Sequence, residues 1–333
     1  MANQKDVAKL AGVSTASVSR YLADPESLGG KNRKKIQKAI EELNYKVDTA
    51  AQTLKTGRTH HICIMIPGSA PFYWVLIQSI QQRLSEEGFY SSVIFTRQID
   101  PGMPFNNTLV EKFIYSNQIE AFILFPLLRD HDRDLAERIS KLHENLLIID
   151  NVPTGEKTPY ILFDNYGAGK LAAKEFLSKG HTKILLLTGE DFFQSSVDRT
   201  KGFLDGLAEE GVNLCEDNII KSSFTASLAF PHFINTIFPE FTAVFAANDT
   251  TALAFIKAMK FKGLSCPENY AIIGIDNNVE FTPYSSPSLT SFEQPTYDAG
   301  IKAAELVLAM IEKKEVPQKT LFPLKLIKRE SFN

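Results

Sequence analysis

The chain has 333 residues, 44% hydrophobic and 23% charged, with a net charge of −3 and three cysteines. No apolar run approaches the length needed to span a bilayer, and the start Met-Ala-Asn-Gln-Lys-Asp has no export signal, so the expectation is a cytoplasmic protein without a membrane partner. Cys63, Cys215 and Cys266 are odd in number, far apart and without metal-type spacing, which argues for reduced structural thiols and against a metal site.

From Val7 to Arg20 the residues outline a helix-turn-helix. Asp6 or a nearby polar residue can cap a first helix with Val7, Ala8, Leu10 and Ala11 on one face, ended by the turn at Gly12. Ser14 can cap a second, in which Val18 and Leu22 face inward with Val13 while Thr15, Ala16, Ser17 and Arg20 face outward. A small polar outer face with one Arg suits the DNA major groove. A third helix over residues 31–45 repeats Ile36, Ala39, Ile40 and Leu43 at helical spacing, with Lys31, Arg33, Lys34, Lys35 and Lys38 around the rest. Residues 1–58 carry eleven Lys or Arg against six Asp or Glu, a net of +5 that leaves −8 for the remainder. The cations therefore lie on the segment that would meet phosphate.

The runs DVAKLAGVS, SVSRYL and IQKAIEELNY closely resemble the DNA-binding head of the lactose/galactose repressor family, from Asp6 to Tyr45, with weaker echoes to nearly the end of the chain. The resemblance implies that Ser14, Thr15, Ala16, Ser17 and Arg20 meet the operator, Arg20 pairing with a guanine and Ala16 touching a thymine methyl. The stretch Asp48 to Gly57 has helix-forming composition but is too short for a stable isolated helix, which takes about 12–15 residues. The resemblance makes it a hinge helix that orders on DNA, with Leu54 wedging into the minor groove. Val47 and Asp48 stand where the family usually has Pro and Asn, and Asp48 is anionic beside phosphate. Expected boundaries are thus 1–46 for the head, 47–59 for the hinge and 60–333 for the core.

From His61 onward apolar runs alternate with amphipathic helices, as in parallel α/β units. Strands are expected at 62–66, 91–95, 121–125, 146–149, 183–187, 243–246, 271–275 and 324–328. About 275 residues suit two doubly wound lobes, the periplasmic-binding-protein-like arrangement that the resemblance implies. The expected crossings near Tyr160, Phe292 and Pro323 give a first lobe of 60–160 with 293–322, and a second of 161–292 with 323–333.

Open α/β sheets present their crevice at the carboxyl ends of the strands. Asp150, Asn248 and Asp276 follow strands, and Arg199 opens a helix after the loop Gly189 to Val197. Each could merely cap a helix, but together they offer acceptors and paired donors to vicinal hydroxyls. They also match the positions at which the family grips its small effector. The resemblance adds Phe163 and Phe224 as pocket aromatics, and Phe72 to Trp74 fall on the loop after the first core strand. Phe125 replaces a commonly polar residue, so the pocket should be less polar there.

Gly167-Ala168-Gly169-Lys170 has the outline of a phosphate loop, but Asp164 occupies the place of its first Gly and Leu171 that of the magnesium-holding Ser or Thr. No Gly-x-Ser-x-Gly elbow is present, so neither an enzyme nor a cofactor is expected. The function expected is that of a DNA-binding regulator, a repressor of carbohydrate-utilisation genes, controlled by a sugar or sugar phosphate. A purine or other metabolite as effector, or a DNA-tethered carbohydrate enzyme, is the alternative. With no heptad tail before Asn333, a homodimer on a pseudo-palindromic operator is expected.

Overall fold

The computed structural model describes residues 2–46, 57–68, 70–96, 107–116, 118–127, 129–153, 155 and 157–332. The chain divides into two compact units, residues 1–59 and 60–333.

In the first unit α1 (Gln4–Ala11), α2 (Thr15–Ala23) and α3 (Gly30–Glu42) enclose Val7, Ala8, Ala11, Val18, Ile36 and Ala39. The cap of α1 is Asn3 rather than Asp6: Asn3 accepts from the Lys5 and Asp6 amides, and the Asp6 carboxylate accepts from the Asn3 amide at 2.9 Å. The helix therefore starts three residues before Val7. Leu10 does not join the buried stripe and is 45% exposed. At about 100° per residue, positions 7, 8 and 11 cluster on one side and position 10 falls well away from them. Gly12 takes a left-handed φ of 63°, which returns the chain for α2, and α3 ends at Glu42 rather than at 45.

The second unit begins with β1 (His61–Ile66), α4 (Pro71–Glu86), β2 (Tyr90–Phe95), α5 (Asn107–Ile114), β3 (Ala121–Leu124), α6 (Asp130–Leu142), β4 (Leu146–Ile149) and β5 (Tyr160–Phe163). It continues through α7 (Asn165–Ser178), β6 (Ile184–Thr188), α8 (Gln194–Ala208), β7 (Ile219–Lys221), α9 (Ala226–Asn235), β8 (Ala243–Ala246), α10 (Asp249–Phe261), β9 (Ala271–Asp276) and β10 (Thr290–Glu293). The last elements are α11 (Thr296–Ile311), β11 (Lys319–Phe322) and β12 (Lys325–Ile327).

Two six-stranded sheets result, in the orders β11-β5-β4-β3-β1-β2 and β12-β10-β9-β8-β6-β7. Among the described residues every strand pairing is parallel except β10 with β12, where Phe292 lies opposite Leu326. Apolar clusters cover both faces of each sheet, which is why β1 reads as an unbroken apolar run rather than an alternating one. The chain passes between the sheets at residues 163–165, 293–296 and 322–325. The expected change of lobe at 161 comes later, because Ile161 to Phe163 complete β5 beside β4 and β11. Strand β7, only three half-buried or exposed residues, had no apolar run to announce it.

The two glycines of the apparent phosphate loop have other surroundings. Gly167 lies in the first turn of α7 beside its cap Asp164, and Gly169 faces α8, where a Cβ would come within 2.2 Å of the Arg199 carbonyl. Gly202 of α8 reciprocates, with a built Cβ 2.0 Å from the Tyr166 carbonyl. The two helices thus pack backbone to backbone, and this brings Arg199 within reach of Asn165.

Candidate functional site

At the carboxyl ends of the strands the structure brings Asp150, Arg199, Phe224, Asn248 and Asp276 into one neighbourhood. Arg199 lies in the second turn of α8 rather than opening it, and only 4% of it is exposed. Its Nε donates to the Ser195 carbonyl at 3.0 Å and to Asn165 Oδ1 at 3.2 Å, its Nη2 donates to Asn165 Oδ1 at 2.7 Å, and its Nη1 donates to the Ala247 carbonyl. The Phe224 ring centre lies 5.7 Å from the guanidinium carbon. A buried guanidinium without such acceptors would be strongly destabilising.

Asp150 leaves β4 with a φ of 60° and Asp276 ends β9 with a φ of 115°, left-handed conformations that L residues rarely hold without support. Asp276 Oδ1 accepts from Gln294 Nε2 at 2.7 Å. The turn after it is held from beneath: the Asn277 amide donates to Ser291 Oγ at 3.0 Å and the Asn278 amide to Asp249 Oδ2 at 2.9 Å. Burial raises the Asp150 carboxyl to about 7, opposed by the Arg199 charge and a hydrogen bond with the Ser195 side chain. Burial likewise raises Asp276 to about 6, opposed by Arg199 and Gln294. Asp249, wholly buried, is pushed well above the usual carboxylate range by burial and then by the Asp276 charge. Burial also shifts Arg199 itself downward, against the pull of Asp276 and Asp150.

Asn248 is committed within its own lobe: Oδ1 caps α10 by accepting from the Thr251 amide at 2.8 Å, and Nδ2 donates to the Phe224 carbonyl at 3.3 Å. One amide hydrogen is left over. Phe72 and Trp74 lie in the first turn of α4, not on a loop; Phe72 is half-buried and Trp74 is exposed. Phe163 is a buried core residue under Phe72, with ring centres 5.4 Å apart. Phe125 is likewise buried, against Tyr73 at 5.4 Å.

Sequence reasoning missed three residues of this site, Asn165, Asp249 and Gln294, and gave Tyr73 only as part of the Phe72 to Trp74 stretch. Tyr73 has its hydroxyl pushed upward by burial and then by the charges of Asp150 and Asp276, so it stands close to both. Asn165, Asp249 and Gln294 are buried and hydrogen-bonded to other polar groups of the site. A Gln directly after a strand was the one available signal; the others depend on helix packing. Phe193 joins the aromatic wall, 5.1 Å from Phe224.

In the head, Thr15, Ala16 and Arg20 are exposed on α2. Ser14 is exposed too, but its Oγ accepts from the Ser17 amide at 3.1 Å and pairs with the half-buried Ser17 hydroxyl at 2.9 Å, so both serine side chains serve the cap. Lys31, Lys34, Lys35 and Lys38 are exposed on α3, while Arg33 pairs with Glu26. Leu54 and residues 47–56 of the expected hinge lie outside the described residues. Burial pushes the Cys63 and Cys266 thiols up to about 12, and no metal-ligand cluster occurs among the described residues. None of the helices described is long and apolar enough to cross a membrane.

The chain thus carries a three-helix head of helix-turn-helix form and a two-lobed α/β core with a polar cleft. Residues 4–48 match the bacterial regulatory proteins of the lacI family, and residues 173–332 match a periplasmic binding protein-like domain. The chain is 31% identical over 319 residues to the HTH-type transcriptional repressor PurR of Aliivibrio salmonicida, covering 94% of this chain and 93% of that protein. The Lac repressor dimer bound to operator and the anti-inducer ONPF superposes with a TM-score of 0.83 at 22% identity, over 99% of each chain. The complex of the regulator CelR with cellobiose gives 0.73 at 23% identity, over 99% of this chain and all of that one. The chain belongs to the lacI family, and it is a sequence-specific DNA-binding transcriptional regulator.

Proposed function

We propose that the protein is a homodimeric repressor whose core cleft binds a sugar-like effector and thereby changes operator affinity. The observation that carries this reading is the encounter of Asp150, from the first lobe, with Arg199 and Asp276, from the second, beside the Phe224 ring. Carboxylates accept from hydroxyls, a guanidinium donates to them, and an aromatic face covers the apolar side of a sugar ring. Because the groups come from two lobes, a ligand between them biases the angle at which the lobes rest. The cellobiose complex of CelR supports the choice of carbohydrate.

In this reading Thr15, Ala16 and Arg20 read base edges, Ser14 and Ser17 hold the start of the recognition helix, and Leu54 belongs to a hinge over 47–59. Two heads reach the half-sites of a pseudo-palindrome. The second copy covers the apolar groove of Ala226, Phe230, Leu253, Ala254 and Phe281 on the second lobe, where Val279 and Tyr284 are also exposed.

The test has two arms. Arg20→Ala should abolish discrimination between operator and random duplex in a binding assay while effector binding persists; retained discrimination removes the recognition-helix assignment. A thermal-shift panel of sugars, sugar phosphates and nucleobases should return a stabilising sugar, since a true ligand raises the melting temperature by mass action. A nucleobase as the only hit would replace the sugar, and turnover of a hit would favour an enzyme.

A further inference from the structure

Resting on the carbohydrate reading of the cleft, we infer that Glu190 is a positioning residue for the effector: its carboxylate fixes the Phe224 ring, the aromatic face offered to a closed sugar ring. Phe224 stands on the short segment between β7 and α9, which has no helix or strand of its own to hold a side chain at one angle. A half-buried ring on such a segment needs bonds from elsewhere; without them, binding must also stop its motion and loses affinity by that entropy.

Glu190 supplies those bonds from the loop between β6 and α8. One carboxylate oxygen accepts from the Ser223 hydroxyl at 2.7 Å, and the other accepts from the Phe224 amide at 3.2 Å. From the opposite side, Asn248 Nδ2 donates to the Phe224 carbonyl at 3.3 Å and the Thr251 hydroxyl donates to the Ser223 carbonyl at 2.9 Å. The neighbours of Glu190 complete the seat. Gly189 lies against the far end of the ring, where a built Cβ would come within 2.3 Å of Phe224 Cζ, so no side chain fits there. The Phe193 amide donates to the Glu190 carbonyl at 3.3 Å, and the Phe193 ring meets Phe224 edge to face, with centres 5.1 Å apart. Both carboxylate oxygens are engaged by the Phe224 segment, so the effect of Glu190 on a ligand runs through the ring. A ring held here keeps its distance from Arg199, 5.7 Å to the guanidinium carbon, and one sugar can then meet the aromatic face and the polar groups together.

The experiment is calorimetric titration of the full chain with cellobiose, glucose and ribose, with hypoxanthine and guanine alongside. It compares the parent with Glu190→Ala, Glu190→Gln, Phe224→Leu and the double variant Glu190→Ala with Phe224→Leu. Glutamine can keep both bonds, its carbonyl oxygen accepting from the Phe224 amide and its amide group donating to the Ser223 hydroxyl. The expected result is a loss of sugar affinity of about tenfold or more in Glu190→Ala and of no more than about threefold in Glu190→Gln. Once Phe224→Leu is in place, Glu190→Ala should cost nothing further. If Glu190→Ala does not fold, Glu190→Asp, a methylene too short to keep both bonds, replaces it and should bind the sugar less tightly than Glu190→Gln. Parental affinity in Glu190→Ala, or in Glu190→Asp where it stands in, overturns the inference and leaves the sugar reading standing. So does a loss in Glu190→Gln as deep as in Glu190→Ala, or a loss that is the same with and without the Phe224 ring. Binding of a nucleobase and of no sugar overturns the sugar reading, and the same variants titrated with that base then decide the role of Glu190. Absence of binding by all five compounds overturns both.

Discussion

Arg129 holds its guanidinium carbon 3.8 Å above the centre of the Phe192 ring, a cation–π contact between the segment after β3 in the first lobe and the segment after β6 in the second. The contact exists only while the lobes are together. At an exposed site such a pair contributes about 0.5–1 kcal/mol. Arg129→Ala should therefore weaken effector binding by about two- to fivefold, and the double variant with Phe192→Ala should cost little more than either single one. Additive losses in titration calorimetry would show that the two side chains act separately.

Arg199 has a structural duty as well as a place in the cleft. Removing it strands the Asn165, Ser195 and Ala247 oxygens and leaves several carboxylates uncompensated. Arg199→Ala should lower core stability by about 3–5 kcal/mol in urea unfolding, the usual cost of breaking one side of a buried charged network. The core, not the head, should carry that loss, so unfolding followed by Trp74 fluorescence, which reports the core, should shift to lower urea. A variant as stable as the parent would mean that these bonds are not maintained.

The ligand-free core should lose stability as pH rises through neutrality. Asp150 and Asp276 bind protons more tightly folded, at about 7 and about 6, than at their ordinary 3.8. Their contribution is full below 3.8 and drains away as pH climbs through those two values. Asp198 and Asp249 are raised by burial in the same space, Asp249 also by the Asp276 charge, while the Arg199 guanidinium opposes protonation of Asp150 and Asp276. Melting temperatures measured from about pH 5 to about pH 8 should fall, and Asp150→Asn should flatten the upper part of the slope.

Gly202→Ala tests the packing that places Arg199. The new Cβ would meet the Tyr166 carbonyl at 2.0 Å, and backbone cannot step aside as a flexible side chain can. The expected cost is about 1–3 kcal/mol together with weakened effector response, since α7 must move away from α8. An unaltered melting temperature would contradict this close approach.

In the head, Ser14→Ala removes the acceptor of the Ser17 amide and should cost about 1 kcal/mol of head stability. Operator affinity should fall through loss of helix order, and Ser14→Asp, which restores an acceptor, should recover the stability but not the affinity, because it adds negative charge beside phosphate.

Local patterns alone marked out much of this protein. The cap, turn and apolar spacing of the helix-turn-helix are set within a dozen residues, and the buried strands are unbroken apolar runs such as Ile62 to Ile66, so both could be read directly. Asp150, Asn248 and Asp276 were findable because the end of a parallel strand is visible in one dimension and the crevice lies there. What tertiary structure alone decided is which polar groups meet. Tyr73 stands near the cleft acids while its neighbour Trp74 faces solvent, and Asn248 spends its carbonyl on a cap. Asn165 and Asp249 became partners of the site only because backbones packed on glycines and a left-handed turn was braced from below. Hydrogen bonds and charges act over a few ångströms in space, and residues that close can be tens of positions apart in the chain, as Asn165 and Arg199 are, so no local pattern announces them.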